Sequence, residues 1–278
     1  MIELEEWIEL AVAEDVGDGD HTSLACIPAN AQGRAHLLVK DPGVISGIEY
    51  AKVIFYRYDP KLELEIFKAD GDRVEVGDIV FVVKGSSRSI LTSERVVLNV
   101  MQRMSGIATT TRSIVDSIGD SNTKILDTRK TTPALRAIEK QAVLHGGGYN
   151  HRIGLYDMIM IKDNHIDYAG GIDEAIEATH KYLTEHQKDL QIEIEVRDMD
   201  ELNQVLEIGR VHRIMLDNFT PAEIKTALKI IDGKYETEAS GGINASNVGP
   251  YALTGVEYIS MGALTHSVKS LDLSLKAF

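Results

Sequence analysis

Short apolar runs in the second half of the chain each stop at a polar or glycine residue that can do chemistry. The run 124–126 leads into Asp127-Thr128-Arg129-Lys130, 158–161 into Lys162, and 192–194 into Glu195. The later runs behave alike: 213–216 leads into Asp217, 236–239 into Ser240-Gly241-Gly242, and 258–260 into Gly262-Ala263. One charged residue after a strand is an ordinary solvated rim residue; a succession of them is harder to dismiss. Arg129, Lys130 and Lys162, with His151 and Arg152 from a preceding loop, supply cationic groups. A guanidinium grips a carboxylate through two parallel N–H donors, and a lysine acts as a point charge. The set therefore suits a small ligand with more than one carboxylate or phosphate. Glu195 and Asp217 are oxygen donors of the kind that hold a Mg²⁺ bridging to substrate phosphates. Ser240-Gly241-Gly242 and Gly262-Ala263 fall in late loops, where glycine leaves backbone N–H groups open to a phosphate.

Glu193 and Glu195 share one strand face, because side chains alternate with period two. Two carboxylates on one inner face are costly without cations, so a metal or lysine partner is expected. His145-Gly146-Gly147-Gly148 reads equally as a flexible turn, and it lacks dinucleotide or Walker A spacing. Asp163-Asn164-His165 reads equally as a loop of turn formers. There is no HExxH, no zinc spacing and no GxSxG elbow. The single cysteine, Cys26, has no activating neighbours in sequence.

The elements that must position these residues follow from periodicity. After residue 120, apolar strands alternate with helices over 173–184, 198–208 and 221–231, the last with Thr220 as N-cap and Pro221 at its first position. Repeated strand–helix units without return strands predict a parallel sheet closed as an α/β barrel, whose strand C-termini converge on one rim. Before that, residues 2–13 carry helical spacing, 14–23 a polar loop, and 35–40, 62–67, 73–76 and 79–83 β-like runs divided by turns. A long helix is expected over 92–118, with Thr92 or Ser93 as cap. The change of rhythm puts a division near residue 105.

The 278 residues carry 29 Lys+Arg against 43 Asp+Glu, a net charge of −14. That balance argues against a nucleic-acid or anionic-membrane binder. It does not argue against an anionic substrate, because binding depends on the local site. One cysteine excludes a disulfide framework. The start, MIELEEW, lacks a basic and apolar leader, and no run approaches the ~20 apolar residues of a membrane span. A cytoplasmic protein is expected.

The motifs together resemble the quinolinate phosphoribosyltransferase family, also called nicotinate-nucleotide pyrophosphorylase (carboxylating). The strings are ERVVLNVMQRMSGIAT from 94, DTRKTTP at 127–133, GGGYNHRIGLYD at 146–157, IKDNHI at 161–166, EIEV at 193–196, DNF at 217–219, EASGGI at 238–243 and SMGALTHS at 260–267. The likeness runs from near residue 14 to the end. Ala134 stands where many members have Gly, a change expected to matter little.

The resemblance implies an N-terminal α/β sandwich domain, 1–105, and an irregular open α/β (TIM-like) barrel, 106–278, with the last residues able to pack back on the first. It implies a homodimer with the site near the subunit interface, or a higher oligomer. Arg129, Arg152 and Lys162, with His151, would hold the two quinolinate carboxylates, and Arg103 would reach that site from the partner subunit. Lys130 would contact phosphoribosyl diphosphate (PRPP) or the reacting centre. Glu195 and Asp217 would meet the ribose hydroxyls and Mg²⁺, and Ser240, Gly241, Gly242, Gly262 and Ala263 would cradle the 5-phosphate. The implied reaction transfers the phosphoribosyl group to quinolinate with decarboxylation, giving nicotinate mononucleotide, diphosphate and CO2 for NAD biosynthesis. Two rivals remain at this point: a ModD-like molybdenum-transport-associated homologue of the same fold, and a non-catalytic binding module. The intact Arg/Lys cluster favours quinolinate.

Overall fold

The structure is a computed structural model that describes residues 4–278. Its first elements are α1 (Leu4–Val16), α2 (His21–Cys26), β1 (Gln32–Val39), β2 (Gly43–Val44), α3 (Ile48–Tyr58), β3 (Glu63–Ile66), β4 (Arg73–Val74), β5 (Ile79–Ser86) and α4 (Ser87–Ser117). Then come β6 (Lys124–Leu126), α5 (Arg136–His145), β7 (Ile159–Ile161), α6 (Asp163–Ala169), α7 (Ile172–Glu185), β8 (Ile192–Val196), α8 (Met199–Ile208), β9 (Arg213–Asp217) and α9 (Pro221–Ile231). The chain finishes with β10 (Glu236–Ser240), α10 (Val248–Ala252), β11 (Tyr258–Ser260), α11 (Ala263–His266) and β12 (Leu273–Ala277). Residues 2 and 3 of the expected first helix lie outside the described residues. Two compact units emerge, each discontinuous in sequence: one of residues up to 113 with 131–147 and 264–278, the other of 114–130 and 148–263. Residue 105, where the sequence rhythm changes, lies within α4.

In the first unit the sheet order is β12-β1-β5-β3, every pair antiparallel. Leu37, Val39, Phe55 and Phe81 are fully buried, and the rings of Phe55 and Phe81 meet edge-on at 5.8 Å. The broad apolar face of α4 packs here through Val97, Met101, Met104, Ile107 and Ala108. The helix starts five residues before Thr92, which corrects the expected cap. Ser86 Oγ accepts the Ser89 N–H at 3.3 Å and so meets the orphan donor of the first turn. Thr92 and Ser93 instead turn their hydroxyls back onto the Arg88 and Ser89 carbonyls, a bond that suits a helix interior. The sequence pattern does not signal the longer helices α3 and α5, nor the short α2, α6, α10 and α11. Ala134, just before α5, has φ +66°. Glycine adopts that conformation without penalty, so alanine there carries strain of about 1–2 kcal/mol, which corrects the expectation that the position matters little.

In the second unit the sheet order is β6-β11-β10-β9-β8-β7, every pair parallel. Tyr149 adds a parallel bridge to Leu126 outside β6. The alternation of strands and helices predicts the parallel strands but a closed barrel, whereas the sheet is open between β6 and β7, as the family resemblance implies. Its helices begin where chemistry dictates. Thr220 and Glu223 form a capping box ahead of Pro221, and Asp198 accepts the Asp200 and Glu201 N–H groups, contacts worth about 1 kcal/mol each. Asp163-Asn164-His165 opens α6 rather than forming a loop, and His165 Nδ1 accepts the Lys162 N–H at 2.9 Å. In β8, Ile192, Ile194 and Val196 are buried, and so are Glu193 and Glu195 between them. Period two puts the glutamates on the opposite face from the aliphatics. The same alternation sets Arg213, Met215 and Asp217 on one face of β9, in register with Glu236, Glu238 and Ser240 of β10.

Candidate active site

The rim at the strand C-termini holds a cleft of about 350 Å³ lined by Thr128, Arg129, Lys130, His151, Arg152, Met160, Lys162, Met215, Glu238, Ser240 and Ser260. Every lining residue comes from the second unit. Most of the cations expected at the rim are here. Arg129 and Arg152 are close enough to repel: burial, then the Arg129 charge, pulls the Arg152 guanidinium below its ordinary value. Two crowded guanidiniums are electrostatically prepared for an anion. Arg152 also donates to the Met158 carbonyl at 3.2 Å, which fixes the head of its side chain. Lys130 is exposed after a turn in which its N–H bonds Thr128 Oγ1.

Lys162 Nζ lies 2.6 Å from Glu195 Oε2, with the lysine 42% exposed and the glutamate 9%. Asp217 is half-buried, and burial followed by the Glu195 charge raises its carboxyl above the ordinary range, with Lys162 opposing. A carboxyl raised by a neighbouring carboxylate suits a divalent cation, and two oxygen donors, rather than a full cage, suit a Mg²⁺ that keeps waters. Ser240 ends β10, and Gly241 and Gly242 follow with φ of +93° and +63°. A Cβ on Gly241 would lie 2.7 Å from Asn218 N and closer still to its side chain. Only glycine fits that approach. Gly262 follows β11, and Ala263 begins α11.

Arg103 is placed differently. It belongs to the first unit, where it donates to Glu139 Oε1 at 2.8 Å and to the Thr265 carbonyl. Glu139 is fully buried and also accepts the Thr132 N–H.

His151 lines the cleft but is almost entirely buried at its base. Its side chain is 4% exposed, and Nε2 lies 3.0 Å from Glu193 and 3.4 Å from Glu238. Burial opposes a charge on the ring, but the Glu193 and Glu238 carboxylates that accept from Nε2 win and raise its pKa to about 9. The Arg152 N–H, 2.6 Å from Nδ1, pulls the other way by favouring an unprotonated nitrogen there. Asp127, also fully buried, accepts the His151 N–H at 2.9 Å and fixes this loop. Arg213 completes the cluster: it lies 3.1 Å from Glu238, 4.0 Å from Glu193 and 2.9 Å from Glu236, and its guanidinium stacks 4.0 Å from the Tyr258 ring. Lys162 is the lysine partner expected on this face, beside Glu195, whereas Glu193 is met by His151 and Arg213, which the expectation does not name. Glu193, Arg213, Glu238 and Asp127 were not assigned site roles from sequence. The available signal was charge at inward positions of period-two strands.

The quinolinate phosphoribosyl transferase C-terminal domain model matches residues 107–276, and the N-terminal domain model of the same family matches 20–105. The chain belongs to the quinolinate phosphoribosyltransferase family. A relative from Nicotiana glauca, quinolinate phosphoribosyltransferase [decarboxylating] 2, mitochondrial, is 45% identical, covering 99% of this chain and 82% of its own. A probable nicotinate-nucleotide pyrophosphorylase [carboxylating] from Bacillus subtilis is 42% identical, covering 99% and 93%. The crystal structure of NadC from Streptococcus pyogenes superposes with a TM-score of 0.94 at 38% identity, covering 98% of this chain and 95% of that one. Family membership and fold therefore agree. No helix among the described residues is long and apolar enough to cross a membrane.

Proposed function

We propose that the chain is a nicotinate-nucleotide pyrophosphorylase (carboxylating), which joins quinolinate to phosphoribosyl diphosphate and releases diphosphate and CO2. The observation that carries this reading is one cleft bearing Arg129, Arg152 and Lys162, with Glu195 and Asp217 beside it. Arg129 and Arg152 grip the two carboxylates and orient the ring over Met160 and Met215. The pyridine nitrogen then attacks the anomeric carbon as the bond to diphosphate breaks. Positive charge develops on the ribose, and Glu195 and Asp217 stabilise it. The resulting pyridinium accepts the electron pair left by CO2 loss, and a proton replaces the carboxyl group. Lys130 and Lys162 balance phosphate and carboxylate charge, so the protein acts by positioning rather than by a covalent intermediate. Ser240, Gly241, Gly242, Gly262 and Ala263 receive the 5-phosphate through backbone N–H groups. When bound at Glu195 and Asp217, Mg²⁺ supplies neutralisation of diphosphate charge. Purified protein given Mg²⁺, quinolinate and phosphoribosyl diphosphate forms nicotinate mononucleotide and CO2; folded protein without turnover refutes the reading.

The same reading makes the protein a cytoplasmic homodimer in which Arg103 serves the partner's site. A cleft of about 460 Å³ in the first unit, lined by Trp7, Leu10, Val96, Val100, Arg103 and Leu135, supports a partner surface there. Hybrids of Arg103→Ala and Lys162→Ala chains recover activity if the site is shared; proven hybrids without recovery refute it. The plant relatives include mitochondrial and chloroplastic proteins, so cell fractionation tests the compartment.

A further inference from the structure

Below the cleft lies a charge cluster that the proposed chemistry does not use. Glu193 and Glu238 are completely buried, and Arg213 is 11% exposed in its side chain. Glu238 also forms part of the cleft lining. An ionised glutamate at the floor of a site for a dicarboxylate is a paradox, because it repels the ligand. The geometry resolves it. Glu238 Oε2 is 3.1 Å from Arg213 and 3.4 Å from His151, and Glu193 Oε2 is 3.0 Å from His151. Both ring nitrogens of His151 face protein groups, Nε2 the glutamates and Nδ1 the Arg152 N–H.

We infer that Arg213, from the far end of β9, is a positioning and specificity residue: together with His151 it offsets Glu193 and Glu238, so that the floor of the cleft accepts an aromatic dianion. His151 then acts on the substrate through the charge of the floor and through the Arg152 backbone. Arg213 is anchored for this from three sides, by Glu236, by Glu238 and by the Tyr258 ring. The inference deepens the proposed function and rests on it.

Charge-specific variants of the full-length protein separate this role from a merely structural one. Arg213→Gln leaves a net negative floor and raises the Kd and KM for quinolinate about tenfold, more than it raises the KM for phosphoribosyl diphosphate. Glu238→Gln removes the opposing charge, so quinolinate binds as well as before or more tightly. Arg213→Gln/Glu238→Gln returns quinolinate affinity toward the wild-type value, and Arg213→Lys retains most of it. A merely structural role would weaken binding in both single variants and more in the double. That pattern, or equal losses for both substrates, overturns the inference. If Arg213→Gln does not fold, Glu238→Gln decides alone: a rise in its quinolinate Kd overturns the inference. Wild-type protein that neither binds nor turns over quinolinate overturns the functional reading and the inference together, whereas active wild type with the structural pattern overturns only the inference.

Discussion

The rim and the floor of one cleft use the same residue types in opposite ways. At the rim, Arg129 and Arg152 crowd each other until burial and repulsion pull the Arg152 pKa down. At the floor, His151 and Arg213 stand against Glu193 and Glu238 within 3.0–4.0 Å. Around Arg129 and Arg152 the rim concentrates positive charge. The floor reaches balance inside the protein. A charge that is satisfied internally contributes to the folded state and is poorly available for binding; a charge held among like charges does the reverse.

If that contrast is right, breaking the floor costs stability first. Glu238→Ala removes one of the two fully buried carboxylates that face Arg213 and His151, and because Glu193 and Glu236 remain, the loss falls at the low end of the about 3–5 kcal/mol typical of a broken buried ion pair. Chemical denaturation of the variant measures it. Burial works against the charge of Glu238, and His151, Ser260 and Arg213 together outweigh it to hold the carboxyl low. An unfolding free energy within 1 kcal/mol of wild type (about the size of an ordinary surface change) would abolish the distinction between rim and floor.

Breaking the rim costs binding instead. Arg152→Ala removes a bidentate carboxylate contact and weakens quinolinate about 10²-fold, which is about 2.7 kcal/mol at 1.36 kcal/mol per tenfold. Phosphoribosyl diphosphate affinity changes much less. Equal loss of both ligands in separate titrations refutes the assignment of Arg152 to the dicarboxylate.

The floor also predicts a direction with pH. His151 has a folded pKa of about 9, above its ordinary 6.5. The stability it contributes is therefore fully present below about pH 6.5 and is lost as pH rises through about 9. Denaturation midpoints fall across that window, and His151→Gln flattens the fall. A wild-type curve that stays level between those values shows that the Arg152 N–H at Nδ1, not the glutamates, decides the state of the ring.

Most of the rim was legible in the sequence, and the floor was not. Lys162, Glu195, Asp217 and Ser240 each follow an apolar run, so strand length and period two suffice to place them at one end of a barrel. Arg213 begins its strand, and its partners Glu193, Glu236 and Glu238 lie 20 to 25 positions away on neighbouring strands. Only the register of the sheet brings them together. The same reason hides α5: Glu139 and Lys140 look like surface residues, yet both are buried, and Arg103 reaches Glu139 from a helix 36 positions earlier. Thr92 and Ser93 misled for a local reason, since a hydroxyl that can cap a helix can also bond back inside one.

Lys162 is the sharpest case, because it belongs to the rim yet has an internal partner. Its ammonium bonds Glu195 at 2.6 Å, but 42% of its side chain is open to solvent. Water screens the pair on that side, so Lys162→Met lowers the unfolding free energy by only about 1 kcal/mol. Its effect on the site is larger than that, because removing the cation leaves Glu195 and Asp217 facing each other. Burial and Glu195 already raise the Asp217 carboxyl, and Lys162 is what opposes them. The variant therefore binds Mg²⁺ no more weakly than wild type while losing quinolinate affinity, a split that metal titration and quinolinate titration read separately. Parallel loss of both ligands would make Lys162 a structural member of the floor instead of a binding member of the rim.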